Sequence, residues 1–258
     1  MDRRSFLAAG GASLTAATAG CLSSAMFWRS DDVVLDEPDY YDDFEQVQQS
    51  REAGHLDIPI YGDELPEATV PDALGDEDVT TTGFIDDRHV LITFLFTRCP
   101  TVCETLTYNL VQVQHEALDS GYADDIALLP VTFDPEYDTP DILEEYSEER
   151  GAALDDESWH FLRPENEDRA REVVTDTFGV TFTYAGDEVD PDDHDHHPPA
   201  DEPDGELGSD HGDHDEKLFA HDTLLLLANK NGYVERGGMY SPNAGRLVQD
   251  VNELVDRW

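Results

Sequence analysis

The first long apolar run along the chain is His89-Val90-Leu91-Ile92-Thr93-Phe94-Leu95-Phe96, and it is nearly unbroken. A strand covered on both faces reads this way, whereas a half-exposed strand alternates. The period then changes. Over residues 102–118, Leu106, Leu110, Val113 and Ala117 fall on one face of a helix. Residues 126–133 form a second buried-strand run. Asp138-Thr139-Pro140-Asp141 opens a helix that runs to about Arg150, with a capping side chain ahead of a proline in the first turn. Residues 159–162 predict a short strand, and 165–178 a helix stopped by Gly179. Residues 181–184 read as an extended piece and 223–229 as a strand. Asn231-Gly232 is a tight turn into 233–237. Residues 242–258 form a closing helix that turns Leu247, Val251, Leu254 and Val255 inward. This alternation predicts one α/β domain over 58–258, a mixed sheet flanked by helices on both faces.

Two stretches fall outside that plan. Residues 22–57 are acidic with little periodicity and read as a tether. Residues 187–216 hold fourteen acidic side chains, five histidines and no lysine or arginine, too little apolar content for a core. They read as a disordered surface insertion. Its histidines, His194, His196, His197, His211 and His214, belong either to a solvated acidic loop or to an auxiliary Cu(II) or Zn(II) site.

Charge changes the picture of the surroundings more than of the fold. Sixty acidic residues face fifteen basic ones, a formal net charge of −45. Such a field repels nucleic acid and excludes that class of partner. The acids are spread along the whole chain, as in a surface built for high salt, where screening over about 3 Å at 1 M weakens self-repulsion. The source reads as a halophile.

The first residues predict where the domain works. Arg3-Arg4 precedes an uncharged stretch rich in Ala, Gly, Ser and Thr, the pattern of a twin-arginine export leader over residues 1–21. Thr18-Ala19-Gly20-Cys21 reads as a lipoprotein cleavage box with Cys21 as the lipid anchor, which places the domain on the outer face of the cell membrane. Of three cysteines, Cys99 and Cys103 then remain, facing an oxidising exterior.

Cys99-Pro100-Thr101-Val102-Cys103 sits where the first buried strand gives way to a helix, the end of an α/β sheet where chemistry gathers. Cys99 at the helix N-cap would be favoured as thiolate. A structural disulfide closing so short a loop is worth about 2 kcal/mol at most. A redox dithiol usually has two residues between its cysteines; three leave room for a metal. Structural, redox and metal readings all remain open at this point.

The motif Phe96-Thr97-Arg98-Cys99-Pro100-Thr101-Val102-Cys103 resembles the signature of the Sco/SenC copper-chaperone family. Val131-Thr132-Phe133-Asp134-Pro135-Glu136-Tyr137-Asp138-Thr139-Pro140 is similar to that family's second marker, and His221 matches the position of its third metal ligand. Ala220 stands before His221 where the family usually has Asp. The resemblance implies a thioredoxin-like fold that binds copper, as Cu(I) or Cu(II), through Cys99, Cys103 and His221. It implies delivery of copper to the binuclear centre of cytochrome c oxidase subunit II, or reduction of that centre's cysteines by the Cys99/Cys103 redox pair. The alternative is a thiol–disulfide oxidoreductase without stable metal. The loop carrying Asp134 and Asp138 is expected near the metal, its carboxylates acting either as caps or as supports for the ligands.

Overall fold

A computed structural model describes residues 32–38, 58–99, 102–184, 219–221, 223–238 and 243–258. The leader, Cys21 and the 187–216 insertion lie outside the described residues.

Strand β1 (Thr69–Pro71) pairs antiparallel with β2 (Asp78–Thr80) as a small separate hairpin. The two long apolar runs form β3 (His89–Leu95) and β4 (Ile126–Thr132), every residue buried. They lie parallel, His89 opposite Ile126 and Leu95 opposite Thr132, joined by helix α1 (Val102–Ser120). Parallel neighbours need such a crossover. On the other side of β3, β7 (Leu225–Ala228) and then β8 (Val234–Arg236) add antiparallel, so the sheet runs β4-β3-β7-β8. Between β4 and β7 come α2 (Pro140–Glu149), α3 (Glu167–Arg171), β5 (Phe182–Tyr184) and β6 (Phe219–His221), and α4 (Ala244–Arg257) closes the chain.

The core is two layers, one on each face of the sheet. Leu91, Leu128 and Leu227 face α1 and α4, where Leu106, Leu110, Val251 and Leu254 are buried. Val90, Ile92, Leu129 and Leu226 face the other way, against Leu143 of α2 and Ala170, Val173 and Phe178 of the α3 segment. The mixed sheet with helices on both faces is the architecture the alternation predicted.

Three elements differ in detail. Residues 159–162 do not form a strand of their own; they touch β4 through two parallel bridges, Leu128 to Trp159 and Val131 to Leu162. The 165–178 helix is α-helical only to Arg171, behind an Asn166 cap, and then widens to a π-helix over Glu172–Thr177. Apolar spacing reports the buried face of a helix but not its hydrogen-bond register.

The third difference concerns the tether. Residues 32–38 lie within the stretch read as a tether, yet they are packed on the domain. Leu35 is 2% exposed and belongs to the α1/α4 core. The buried Glu235 carboxylate accepts the backbone N–H groups of Val34 at 2.7 Å and Leu35 at 2.9 Å. Asn229 donates to the Asp32 carbonyl at 2.7 Å and Arg257 to that of Val34 at 2.7 Å. The turn nearby is as the sequence required: Gly232 has φ +83°, and a Cβ there would meet Ile85 Cδ1 at 2.7 Å.

Candidate metal centre

Cys99 follows the carboxyl end of β3, and its N–H donates to the Phe96 carbonyl at 3.2 Å, which turns the chain out of the strand. Cys103 is the second residue of α1. The helix is described from Val102, and Pro100 and Thr101, which decide whether Cys99 is its N-cap, lie outside the described residues. Both cysteines are thiols, 6% and 0% exposed, in the core layer beneath α2.

Burial, and then a hydrogen bond between the Cys103 and Cys99 side chains, push the Cys103 thiol far above its ordinary pKa; a backbone hydrogen bond from Phe96 works weakly against this. Without a cation Cys103 therefore keeps its proton. A soft metal ion displaces it, because thiolate is the form that ligates.

The marker loop after β4 holds the residues before Cys99 in place. Asp138 is fully buried. Its carboxylate accepts the Thr97 N–H at 3.2 Å, the Thr97 hydroxyl and the Thr132 hydroxyl. Burial raises the Asp138 pKa to about 6; the Thr132 and Thr97 hydrogen bonds oppose this, and the Asp134 charge adds to it. Arg98 donates to the buried Asp134 carboxylate at 2.5 Å and lies over the Tyr137 ring, 4.1 Å from its centroid. Arg163 ties the loop from outside, donating to the carbonyls of Asp138 at 2.9 Å and Pro135 at 2.6 Å.

Asp138 is thus more than a cap: Thr139 caps α2, accepting from the Ile142 N–H, while Asp138 grips the thiol loop. Sequence reasoning missed Thr97, Thr132 and Arg163. The available signal was threonine at the ends of both buried strands, where an apolar residue would otherwise continue the run.

His221 is described by its backbone. It pairs with Phe182 across the antiparallel β5–β6 ladder. Phe182 stacks on Phe133 at 4.9 Å, and Phe133 packs on Phe96 at 5.3 Å, three residues before Cys99. Three residues after His221, the Leu224 carbonyl accepts from Thr93 Oγ1 at 2.8 Å. Both contacts bring the His221 backbone to the thiol end of the sheet. Among the described residues no group of three or more His, Cys, Asp or Glu side chains is placed to hold a metal, so the described donors there are the two thiols. His89, His115 and His160 are elsewhere. His89 is buried at the start of β3, His115 lies 2.8 Å from the Gly151 carbonyl, and His160 lies 2.9 Å from Asp72.

The SCO1/SenC family model matches residues 75–198, which include both cysteines and the marker loop. Over those residues the chain is similar to the SCO1/SenC family. Among solved structures it is similar to Arabidopsis thaliana ScoI with copper bound, at 15% identity and TM-score 0.52 over 76% of this chain and 100% of that one. Bradyrhizobium japonicum ScoI with copper bound matches at 18% identity and TM-score 0.51, over 74% and 99%. Yeast Sco1 with copper bound matches at 21% and 0.50, over 76% and 91%. No curated protein sequence matches the chain. The fold that the chain shares with these solved structures is thioredoxin-like, and its own thiols sit at the junction of the first long strand and its helix.

Proposed function

We propose that the protein binds copper through Cys99, Cys103 and His221 and hands it to a cytochrome c oxidase during assembly. The observation that carries this reading is the buried, mutually hydrogen-bonded thiol pair whose approach is braced by Asp138 and Asp134. The braced loop holds the two sulfurs within hydrogen-bonding reach of each other. Soft sulfur donors favour Cu(I), and a neutral imidazole keeps Cu(II) bound as well. The copper-bound relatives from Arabidopsis, Bradyrhizobium and yeast support the choice of metal. The client fits the same reading: the binuclear copper site of oxidase subunit II, reached from the outer face of the membrane by a domain exported through the twin-arginine route and lipidated at Cys21.

Anaerobic titration of the reduced full chain with Cu(I) and Cu(II) tests the proposal. Copper binding predicts about one ion of either valence per chain, with proton release and a sulfur-to-copper charge-transfer band for Cu(II). The band is lost in Cys99→Ser and in Cys103→Ser, and His221→Ala weakens Cu(II) more than Cu(I). Turnover of a Cys99–Cys103 disulfide with no Cu(II) uptake would establish the oxidoreductase instead.

A further inference from the structure

Residues 32–38 are seated at one particular end of the sheet. Asn229, which holds the Asp32 carbonyl, follows Ala228, and Ala228 is paired with Val90 at the amino end of β3. Cys99 lies beyond Leu95, at the carboxyl end. From Asn229 the segment runs along β8 in order: Val34 and Leu35 on Glu235, then the Asp36 carbonyl on Arg236 at 3.1 Å. Tyr61 adds a hydroxyl to the Leu35 carbonyl at 2.7 Å. The seat is built for this chain segment: a fully buried carboxylate serves two consecutive amides while Leu35 enters the core.

We propose that this strap orients the domain on its membrane anchor, with the thiol pair facing away from the lipid and toward a partner site well above the surface. The inference rests on the reading of Cys21 as a lipid anchor. The geometry follows from chain length. Between Cys21 and Asp32 an extended chain spans at most about 40 Å, whereas a leash reaching Ile58 would span about 130 Å. The longer leash lets the domain turn its thiols toward the membrane. The shorter one leaves from the opposite end, and the seven residues of β3 hold Cys99 about 20 Å farther out. The partner that fits is a membrane protein whose metal site or cysteine pair projects into the same aqueous layer.

The test uses the full chain in two settings. In a Cys21→Ser protein free in solution, amide exchange at Val34 and Leu35 is expected to be protected, and Leu35→Asp to abolish the protection. Unprotected amides in the parent overturn the strap itself. The second setting is the lipidated protein on phosphatidylcholine vesicles carrying a headgroup acceptor, in molar salt. Cys99 and Cys103 are replaced by serine, and a donor dye is placed at Asn231→Cys or at Tyr137→Cys. Asn231 is exposed at the strap end and Tyr137 at the thiol end. Energy transfer is expected to be higher from position 231 than from 137, and Leu35→Asp to erase the difference. Equal transfer with the strap intact, or an unchanged difference in Leu35→Asp, overturns the orientation. Protected amides in a protein that fails to float with vesicles refute the anchor, and the orientation with it, while leaving the strap standing.

Discussion

Two buried groups at opposite ends of β3 titrate in opposite senses, and removing either should expose the other. His89 is fully buried and packs edge-on to Trp258 at a centroid distance of 5.3 Å. Burial, then the Lys230 charge, lower its pKa from 6.5 to about 4, with Asp125 opposing. Between those values the unfolded histidine takes a proton that the folded one refuses, so stability falls as pH is lowered. Asp138 behaves in reverse. Its pKa rises from 3.8 to about 6, so in that window the folded state holds a proton the unfolded state has lost. Its contribution is fully present below pH 4 and disappears as pH rises through 6. Each shift exceeds two units, worth about 3 kcal/mol at 1.4 kcal/mol per unit. Over pH 4 to 6.5 the two nearly cancel.

The perturbations are His89→Phe and Asp138→Asn. The amide keeps an acceptor for Thr97, and its NH2 can donate to the Thr132 hydroxyl. Urea denaturation of the reduced, metal-free protein at fixed salt, from pH 4 to 7, gives the stability of each variant minus that of the parent, which removes the contribution of the other acids. The Asp138→Asn difference should rise by about 3 kcal/mol across that range, and the His89→Phe difference should fall by about the same amount. The double variant should show the sum, a flat line, because the sites share no contacts. A flat line for either single variant, or two slopes of the same sign, refutes the reasoning.

Other substitutions probe the packing. Leu35→Ala should cost about 3 kcal/mol in urea denaturation, although the residue lies in a stretch that looks like leash. Gly232→Ala should cost about 2 kcal/mol, since the left-handed φ and the Ile85 contact both penalise a Cβ. Arg98→Ala leaves Asp134, 1% exposed, without its ion-pair partner. It should destabilise by about 3 kcal/mol in the same assay and broaden the Cu(II) charge-transfer band as the thiol loop loosens.

What could be read from the chain and what could not divide along a physical line. β3, β4 and α1 were legible because each buries its own apolar periodicity, whatever surrounds it. The cysteines were legible because thiols at a strand-to-helix junction are chemically distinctive. The supports of the site were not, because each is a polar residue whose meaning depends on a partner far along the chain. Thr97 is forty-one residues from Asp138, and Val34 is 201 from Glu235. Glu235 carries the clearest form of the lesson. An acidic side chain in a chain of sixty acids looks like one more solvated charge, yet this one is fully buried in β8. Burial raises its pKa, while Asn229 and the Leu35 and Val34 amides pull it back. Desolvating a carboxylate is tolerated only when hydrogen bonds replace its water. The strap supplies two of those bonds, so the edge of the sheet is incomplete without residues 32–38. An apolar run as short as Val33-Val34-Leu35 was the sole trace of this in the sequence, and it acquires meaning only beside the acid that receives it.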